Sequence, residues 1–223
     1  MFRLDEQNVY RCDALSQFPW LEHGFGTRLS DGWPDLNRLV TPKQIHSDRV
    51  LLVEQGAPTG PTARLGEGDA LVCRIGDSLV GIRTADCVPI LLVDERTRSV
   101  GAIHAGWRGT VSEISSHTVD IMTRQFGTNP EDIWAAIGPS IGRCCFQVGP
   151  EVAAQFAADL HHQSCVDLPE ANRRQLIQAG VPPDHIFVSG LCTVCQSREF
   201  HSYRRDKEKA GRMISAVGHC DGF

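Results

Sequence analysis

Three side chains that bind soft or borderline metals occur in distinctive runs of this sequence. Cys87 lies in TADCVPI, His104 begins HAGWRG, and His46 ends the short run QIH. Thiolate sulfur and imidazole nitrogen are ligands that zinc prefers, and three protein ligands leave the fourth tetrahedral position free for water or substrate. The residue types therefore predict a catalytic zinc site at His46, Cys87 and His104.

Two neighbouring runs predict how the cysteine and a histidine meet. Val88–Asp94 and Ser99–Ala105 are aliphatic and β-branched, and the residues between them are polar, as in an antiparallel hairpin. If Asp94 pairs with a residue near the start of the second run, Cys87 lies opposite a residue close to His104. Opposed strand residues have Cβ atoms only ~5 Å apart, a gap that zinc can bridge. His46 must then arrive from the preceding segment.

The run after His104 predicts a tight passage from strand to helix. Gly106 and Gly109 flank Trp107-Arg108, where the backbone can approach a ligand closely. Thr110 and Glu113 have the spacing of a capping box, and the apolar pattern continues to Phe126 before Gly127. A helix start beside the site attracts anions such as phosphate. The alternative for Arg108 is an ordinary solvated arginine.

Eight segments, in order, resemble the motifs of the YfiH-like family, long labelled polyphenol oxidase or laccase-domain proteins. They cover roughly residues 41–218 and read QIHSDRV, GDALV, TADCVPILLVD, GAIHAGWRGT, AAIGPSIGRCCFQVG, CT, FHSYRRD and GRMISAVG. The resemblance implies a zinc-dependent purine nucleoside phosphorylase acting on adenosine, inosine or methylthioadenosine, in some members also an adenosine deaminase. It implies that His46, Cys87 and His104 hold the metal, and it implies a four-layer α/β/β/α sandwich.

The chain departs from this family near its start. Family members usually carry an FNLG-like block and a helix before the QxH motif, whereas here Leu36-Asn37-Arg38-Leu39 runs almost directly into Thr41-Pro42. A helix is expected to be missing, together with any substrate contact that it supplies.

Phosphorolysis requires cations that position phosphate and contacts that orient the nucleoside. We assign Arg108 and Arg49 to phosphate, and Gln44 and Trp107 to substrate binding. For deamination, the metal would lower the pKa of its water toward ~7, and a carboxylate would move protons. Asp69 is our candidate for that carboxylate.

Asp86 is a second acidic residue next to the predicted site. It comes directly before Cys87, and we favour a structural role for it, in holding the turn that precedes the cysteine.

Two rival functions stay open from the sequence. Cys87 could be a thiolate nucleophile with His104 as base, in a hydrolase or amidase acting on a peptide or cell-wall precursor, a role also proposed for some relatives. The chain could instead be a non-enzymatic zinc-binding module, for which metal removal would abolish folding. A multi-copper oxidase is disfavoured because none of the nine histidines forms a His-x-His pair. Soft ligands can still capture copper adventitiously.

Composition favours one compact enzyme over residues 1–223. The chain is 41% hydrophobic and 22% charged, and its net charge of −5 gives no general attraction to nucleic acid or anionic membranes. We expect small-molecule partners, a cytoplasmic location, and a monomer or homodimer. Nine scattered cysteines indicate reduced thiols. Cys192 and Cys195 form a lone CxxC with adjacent Cys144-Cys145 as a poor second pair, so we interpret these as buried or loop thiols.

The remaining pattern indicates an α/β (α+β) fold of mixed sheets with outer helices. Helices are predicted at Pro150–Leu160 and Pro169–Ala179, the second closed by Gly180. No GxGxxG or Walker pattern occurs, which disfavours a Rossmann-type nucleotide site. Besides the hairpin, strands are predicted at Val50–Glu54, Asp69–Ile75, Leu79–Thr84, Ile133–Ile137, Ile186–Ser189, Glu199–Tyr203 and Met213–Val217.

Overall fold

A computed structural model describes residues 1–74, 76 and 78–220. Its strands form two six-stranded sheets and one two-stranded ribbon. In chain order the strands are β1 Phe2–Leu4, β2 Val9–Cys12, β3 Leu21–Gly26, β4 Leu39–Val40, β5 Val50–Leu52, β6 Ala70–Cys73, β7 Leu79–Thr84, β8 Val88–Asp94, β9 Val100–Ala105, β10 Ile133–Ile137, β11 His161–His162, β12 Cys165–Val166, β13 Ile186–Val188 and β14 Met213–His219.

In the part of the chain that the structure describes, five α-helices connect these strands. The two longest, α2 and α4, lie after the central hairpin and before β13 respectively. The helices are α1 Trp107–Val111, α2 Ile114–Phe126, α3 Pro150–Ala153, α4 Leu168–Gln178 and α5 Tyr203–Asp206.

Both large sheets are mixed. The first has the order β1-β2-β3-β14-β7-β4 and the second β13-β10-β8-β9-β6-β5. The β4–β7, β5–β6 and β10–β13 pairs are parallel, and the other pairs within the two large sheets are antiparallel. This arrangement confirms the predicted α/β class with mixed sheets.

Strand β8 shows how the layers are stacked. All seven of its residues are buried. Ile90 and Leu92 belong to the cluster that contains residues of α2 and α4, whereas Leu91 and Val93 belong to the cluster shared with the first sheet. Because successive strand residues point to opposite faces, a strand covered on both faces is apolar throughout. The second sheet therefore lies between the helices and the first sheet.

The far side of the first sheet is covered differently. Leu39, Leu79 and Ala216 form a small cluster there with Trp33 and Ile214. Trp33 comes from the segment in which the sequence indicated a missing helix, and that segment contains no helix in the structure. The expected absence of a helix is therefore confirmed for the described part of this segment, and the loop residue Trp33 packs on this face of the first sheet instead.

The predicted hairpin register is confirmed. Asp94 donates its amide to the carbonyl of Ser99 at 2.8 Å, and Val88 and Pro89 pair with Ala105 and His104. Of the predicted strands, β7, β8 and β10 have the predicted limits, and others are shorter or longer by a few residues. Ile75, the last residue of one predicted strand, lies outside the described residues.

The predicted strand at Glu199–Tyr203 is wrong. Turns occupy its start, and Tyr203 begins helix α5, whose N-cap Ser202 accepts a hydrogen bond from the Arg205 amide. The Arg205 guanidinium donates to the carbonyls of Thr193 and Phe200. A side chain that donates hydrogen bonds to several backbone carbonyls at once favours a compact turn over an extended strand.

The predicted capping box is also wrong. Thr110 lies inside α1 and donates its hydroxyl to the Gly106 carbonyl, while Glu113 adopts a left-handed φ of 58° between α1 and α2. Asn172 and Gln175 of α4 donate to the hydroxyl and carbonyl of Thr110. These contacts with α4 hold Thr110 in α1, so the helix breaks after it.

The predicted helix Pro150–Leu160 is shorter than expected. Helix α3 ends at Ala153, and a separate 3-10 turn follows at Ala158–Leu160. The later helix, α4, matches its prediction within one residue at each end, with Asp167 as its N-cap and Gly180 at a φ of +97° after it. No helix in the described part of the chain has the length and apolar character that a membrane crossing requires.

Candidate metal centre and its pocket

His46, Cys87 and His104 converge as the sequence predicted. Cys87 directly precedes β8, His104 is the penultimate residue of β9, and His46 comes from the loop between β4 and β5. One ligand atom of each residue lies within 4.8 Å of the other two. The two imidazole rings are 5.0 Å apart between centroids and nearly perpendicular. The set can therefore surround one ion without any change of chain path.

Asp69 organises the loop that delivers His46. Its carboxylate is fully buried and accepts amide hydrogen bonds from Ile45, His46 and Ser47 at 3.2, 3.0 and 2.6 Å. The same carboxylate accepts a 2.8 Å bond from Nδ1 of His104. This bond leaves Nε2 of His104 as the nitrogen available to a metal, as in many carboxylate–histidine–metal arrangements.

The protonation equilibria of the three groups are tightly linked. Burial alone would raise the pKa of Cys87, but the charge and hydrogen bond of His104, with a further bond from His46, lower it to about 6. Burial alone would lower the pKa of His104, but Cys87 and Asp69 raise it to about 9. Burial of Asp69 is likewise outweighed by bonds from His104 and Ser47, which lower its pKa to about 2. Cys87 is therefore predisposed to be a thiolate.

Gly106 provides the room in which the cluster fits. A Cβ added at this position would stand 3.2 Å from both Cys87 Sγ and His46 Cδ2. Such contacts are closer than ordinary van der Waals separations. A side chain at this position would require Cys87 or His46 to shift by a few tenths of an ångström, so the glycine leaves room beside the cluster. Its φ of −74° is not an unusual backbone conformation.

Asp86 holds the turn before Cys87, as expected from the sequence. It has a φ of 91°, and its carboxylate accepts 2.6 Å bonds from the Thr193 hydroxyl and the Arg204 amide. Its carbonyl accepts the amide of Ile141. Three separate segments are thereby held together at the turn that precedes Cys87.

The three candidate ligands line a pocket of about 690 Å³. Its lining is rich in cations and contains a single carboxylate, Asp86, among the described residues. An apolar patch of Ile141 and Phe146 lies beside them, and Tyr203 also lines the pocket. The cationic lining residues are Lys43, Arg64, Arg83, Arg204, Lys207 and Arg212. The local charge favours an anionic ligand although the whole chain is acidic.

Arg64 and Arg83 are the most informative of these cations. Both guanidinium groups donate to the carbonyl of Pro61, at 3.3 and 3.0 Å. Burial and the nearby charge of Arg64 lower the pKa of Arg83, whose buried Nε has no hydrogen-bond partner. Neither side chain forms a salt bridge within the described residues. Two adjacent arginines without a carboxylate partner are suited to a phosphate.

The predicted substrate residues are divided between the pocket and the surface. Gln44 lines the pocket, with its amide bonded at both ends to the backbone of Arg83. Arg49, Trp107 and Arg108 are not among the described residues that line it. Arg108 is exposed and stacks on the Trp107 ring at 4.4 Å from its centroid. Asp69 lies behind His104 rather than in the lining.

Sequence reasoning missed the cations that do line the pocket. A signal existed for Arg83, because it is the only charged residue in the otherwise apolar or neutral strand β7 and lies three residues before Asp86. Tyr203 and Arg204, to which no role was assigned from the sequence, also line the pocket. Arg64 carries no comparable local signal.

A second cluster of metal-binding residues lies in the same part of the molecule. The sulfur atoms of Cys144, Cys145, Cys192 and Cys195 all lie within 4.8 Å of one another. They are free thiols in loops, as interpreted from the sequence, but their convergence into one cluster was not predicted. Their two segments are far apart in sequence, and the pairing of β10 with β13 brings them together.

Residues 28–220 match a family model described as multi-copper polyphenol oxidoreductase laccase. A protein named adenosine deaminase RL5, from an unknown prokaryotic organism, is 39% identical over 82% of this chain and 76% of its own. A purine nucleoside phosphorylase of Bacteroides thetaiotaomicron is 36% identical, over 86% of this chain and 77% of its own.

Two solved structures share the fold almost throughout. The crystal structure of YlmD from Geobacillus stearothermophilus superposes with a TM-score of 0.88 at 30% identity and covers 99% of both chains. The hypothetical protein YfiH of Bacillus licheniformis gives a TM-score of 0.86 at 31% identity, covering 97% of this chain and 98% of its own. The chain therefore belongs to the multi-copper polyphenol oxidoreductase laccase family, that is, to the YfiH-like family that its sequence motifs resemble.

Proposed function

We propose that this chain is a zinc-dependent purine nucleoside phosphorylase that cleaves adenosine, inosine or methylthioadenosine with phosphate. The observation that carries the proposal is the position of His46, Cys87 and His104 inside a pocket lined by six cationic side chains. The names of two relatives, a purine nucleoside phosphorylase and an adenosine deaminase, support nucleoside chemistry. The second name also supports deamination of adenosine as a further activity of the same pocket.

The donor set fits zinc on its own chemistry. It consists of one thiolate and two imidazoles, with His104 oriented by Asp69 and the ligand atoms within 4.8 Å of one another. Zinc bound there would supply Lewis acidity beside the reacting phosphate or water. The same soft ligands can bind copper, which the family description names, so we treat copper as an adventitious competitor.

The residues of the chain would bind and orient both substrates. Arg64 and Arg83 would hold phosphate through paired N–H donors, and Ile141 with Phe146 would cover a face of the purine. In the reaction, a phosphate oxygen forms a bond to the anomeric carbon of ribose while the bond from that carbon to the purine nitrogen breaks. The purine leaves with the bonding electrons and gains one proton, which balances the proton that phosphate loses.

A Cys–His hydrolase is the second candidate, and one observation favours it. Cys87, His104 and Asp69 form a hydrogen-bonded series in which the pKa of Cys87 is lowered to about 6. That is the arrangement of an activated thiolate nucleophile with an oriented base. A thiolate committed to zinc is not a free nucleophile, so metal content separates the two candidates. The non-enzymatic zinc-binding module is the third.

The test is chromatographic. Zinc-loaded protein is incubated with adenosine or inosine, with and without phosphate, beside Cys87→Ala and the control Cys165→Ser, which changes a cysteine outside both clusters. We expect phosphate-dependent release of free base. Cys87→Ala should reduce it by more than the roughly 10–100-fold typical of losing an outer-shell partner, with circular dichroism unchanged, and Cys165→Ser should retain it.

Two results would contradict the phosphorylase. Absence of base release from protein with confirmed zinc content would leave the binding module. Thiol-dependent turnover of a peptide or amide by zinc-free protein would instead establish the hydrolase.

A further inference from the structure

Cys144, Cys145, Cys192 and Cys195 form a compact group, which we call the four-cysteine cluster, apart from the three ligands in the pocket. Neither candidate mechanism uses these residues. Cys192 is buried, Cys145 is half-buried, and Cys144 and Cys195 are exposed. The cluster therefore lies at the surface, where free thiols would otherwise be open to oxidation.

Parallel pairing of two strands explains why the cysteines meet. Strands β10 and β13 are neighbours, with Ile137 opposite Val188, so their following loops leave the same edge of the sheet. The ladder continues past both strands, because Ser140 pairs with Cys192 as an isolated bridge. The Ser140 amide also donates to the Leu191 carbonyl at 3.2 Å. The backbone thus fixes the two cysteine pairs against each other.

The distances between sulfur atoms match a tetrahedral thiolate site. Cys195 Sγ lies 3.7 Å from Cys144 Sγ and 3.5 Å from Cys145 Sγ. Four sulfurs around zinc at ~2.3 Å are roughly 3.8 Å apart along each tetrahedral edge. A disulfide would instead require sulfurs at ~2.05 Å and would join them only in pairs. One ion can accommodate all four residues at separations close to those observed.

A backbone amide supports the cluster from outside. Gly142 donates its amide to Cys192 Sγ at 3.3 Å. An N–H donor to the sulfur stabilises the thiolate form that a metal requires and is a common outer partner of metal-bound cysteine. In a tight turn of the same loop, the Cys145 amide donates to the Gly142 carbonyl at 2.9 Å.

From these contacts we infer that the four-cysteine cluster binds a second, structural zinc ion through four thiolates. Binding would displace the thiol protons, and four protein ligands would leave no open position for substrate. This zinc site is independent of the proposed phosphorylase activity.

The ion would fasten a wall of the pocket. Residues 138–149 contain no helix or strand, and yet Ile141 and Phe146 of this loop line the pocket. Arg204, another lining residue, donates to the carbonyls of Cys145 and Gln147 at 3.3 and 2.9 Å. Clamping the loop at Cys144 and Cys145 would therefore hold an apolar wall and a cation in place.

The test counts zinc in the folded, full-length protein. Mass-spectrometric metal analysis is made on the wild type, Cys195→Ser, Cys192→Ser, Cys87→Ala and the control Cys165→Ser. We expect Cys195→Ser and Cys192→Ser each to lose one zinc per chain relative to wild type, and Cys165→Ser to lose none. Cys87→Ala should lose the pocket ion but keep the other, and after cobalt exchange it should show the absorption of tetrahedral cobalt thiolate.

A second measurement covers variants that fail to fold. Wild-type protein is alkylated in its native state with and without a chelator, and the modified peptides are identified by mass spectrometry. Metal-dependent protection of all four cysteines supports the site. The proposal would be overturned by equal zinc content in wild type and Cys195→Ser, or by iron in place of zinc. It would also be overturned by a disulfide among the four cysteines in the isolated protein, or by alkylation that does not respond to the chelator.

Discussion

Two clusters of metal-binding side chains are connected through Asp86, which directly precedes Cys87 and accepts a hydrogen bond from Thr193, between Cys192 and Cys195. The two clusters are built from different neighbours. In the pocket, a single thiol is surrounded by two imidazoles and an acid behind them, and the pKa of Cys87 is lowered to about 6 despite burial. In the four-cysteine cluster, burial and the neighbouring Cys192 and Cys195 thiols raise the pKa of Cys144 to about 11. Burial would also raise the pKa of Cys192, but backbone amide donors lower it to about 7. The pocket thus favours the thiolate of its one cysteine, whereas the four-cysteine cluster contains thiols with pKa values shifted in both directions.

This difference indicates what each cluster is suited to do. A Cys/His set in a cationic pocket leaves one metal position open and an anion within reach. An all-cysteine set formed by two loops satisfies every position of a tetrahedral ion and joins those loops. We therefore expect chemistry at the first cluster and a structural contribution from the second.

Among the changes considered, Asp69→Asn is expected to give the largest difference in zinc binding between the two clusters. The asparagine NH2 would face donors in either orientation, the Ile45 and Ser47 amides at one oxygen position or the His46 amide and His104 Nδ1 at the other. The side chain would therefore no longer orient both His46 and His104 as the carboxylate does. We expect zinc affinity at the pocket site to fall roughly 10–100-fold, as measured by competition with a chromophoric chelator.

The matched control for that change is Asp48→Asn, which alters an acid paired with His117 on the surface. It should leave both zinc sites unchanged. Equal affinities of Asp69→Asn and wild type at the pocket site would show that Asp69 does not position His104.

Alkylation of the metal-free protein should distinguish the two kinds of thiol. Because the pKa of Cys87 is lowered to about 6, its thiolate is retained above that pH and lost as the pH falls through it. Its iodoacetamide rate should therefore drop about tenfold between roughly pH 7 and pH 5. Cys144, whose pKa is raised to about 11, should react slowly over this range and faster only in alkali.

His104→Gln provides the complementary measurement. Removing the imidazolium should move the Cys87 midpoint upward, toward or above the ordinary thiol range. Rates are read from the individual modified peptides. A midpoint for Cys87 that is unaffected by this variant would contradict the role assigned to His104.

The smallest expected effect tests the connection between the clusters. Thr193, between Cys192 and Cys195, donates its hydroxyl to Asp86 at 2.6 Å, and both side chains are buried. Thr193→Val would leave a carboxylate oxygen without this donor, at a cost of about 1–3 kcal/mol in the free energy of unfolding. We expect Tm to fall by roughly 2–4 °C for each kcal/mol lost, with zinc content unchanged.

Exposed Thr123→Val on α2 is the control for that substitution and should leave Tm close to wild type. Zinc loss from either cluster in Thr193→Val would show that the hydrogen bond positions metal ligands as well as stabilising the fold. An unchanged Tm would contradict its structural importance.

The parts of the fold and site that were predicted correctly depend on local patterns. The continuous aliphatic and β-branched runs predicted β8 and β9 and their register, which brings Cys87 close to His104. Local patterns gave wrong predictions where residues distant in sequence make the deciding contacts. The predicted strand at Glu199–Tyr203 is wrong because Arg205 donates hydrogen bonds to the carbonyls of Thr193 and Phe200 and the chain turns there. Similarly, contacts from α4 to Thr110 displaced the expected helix start. The cytoplasmic location, the oligomeric state and the single domain remain predictions.

By itself, the sequence determined the chemical groups available to this protein: the three candidate metal ligands of the pocket, the hairpin that positions two of them, and the family to which the motifs belong. Only the tertiary structure decided which cations face the ligands and that two cysteine pairs about 50 residues apart converge. The physical reason is that side-chain periodicity is a local property of the chain. Which strands become neighbours, and hence which loops meet at one sheet edge, depends on packing across the whole core.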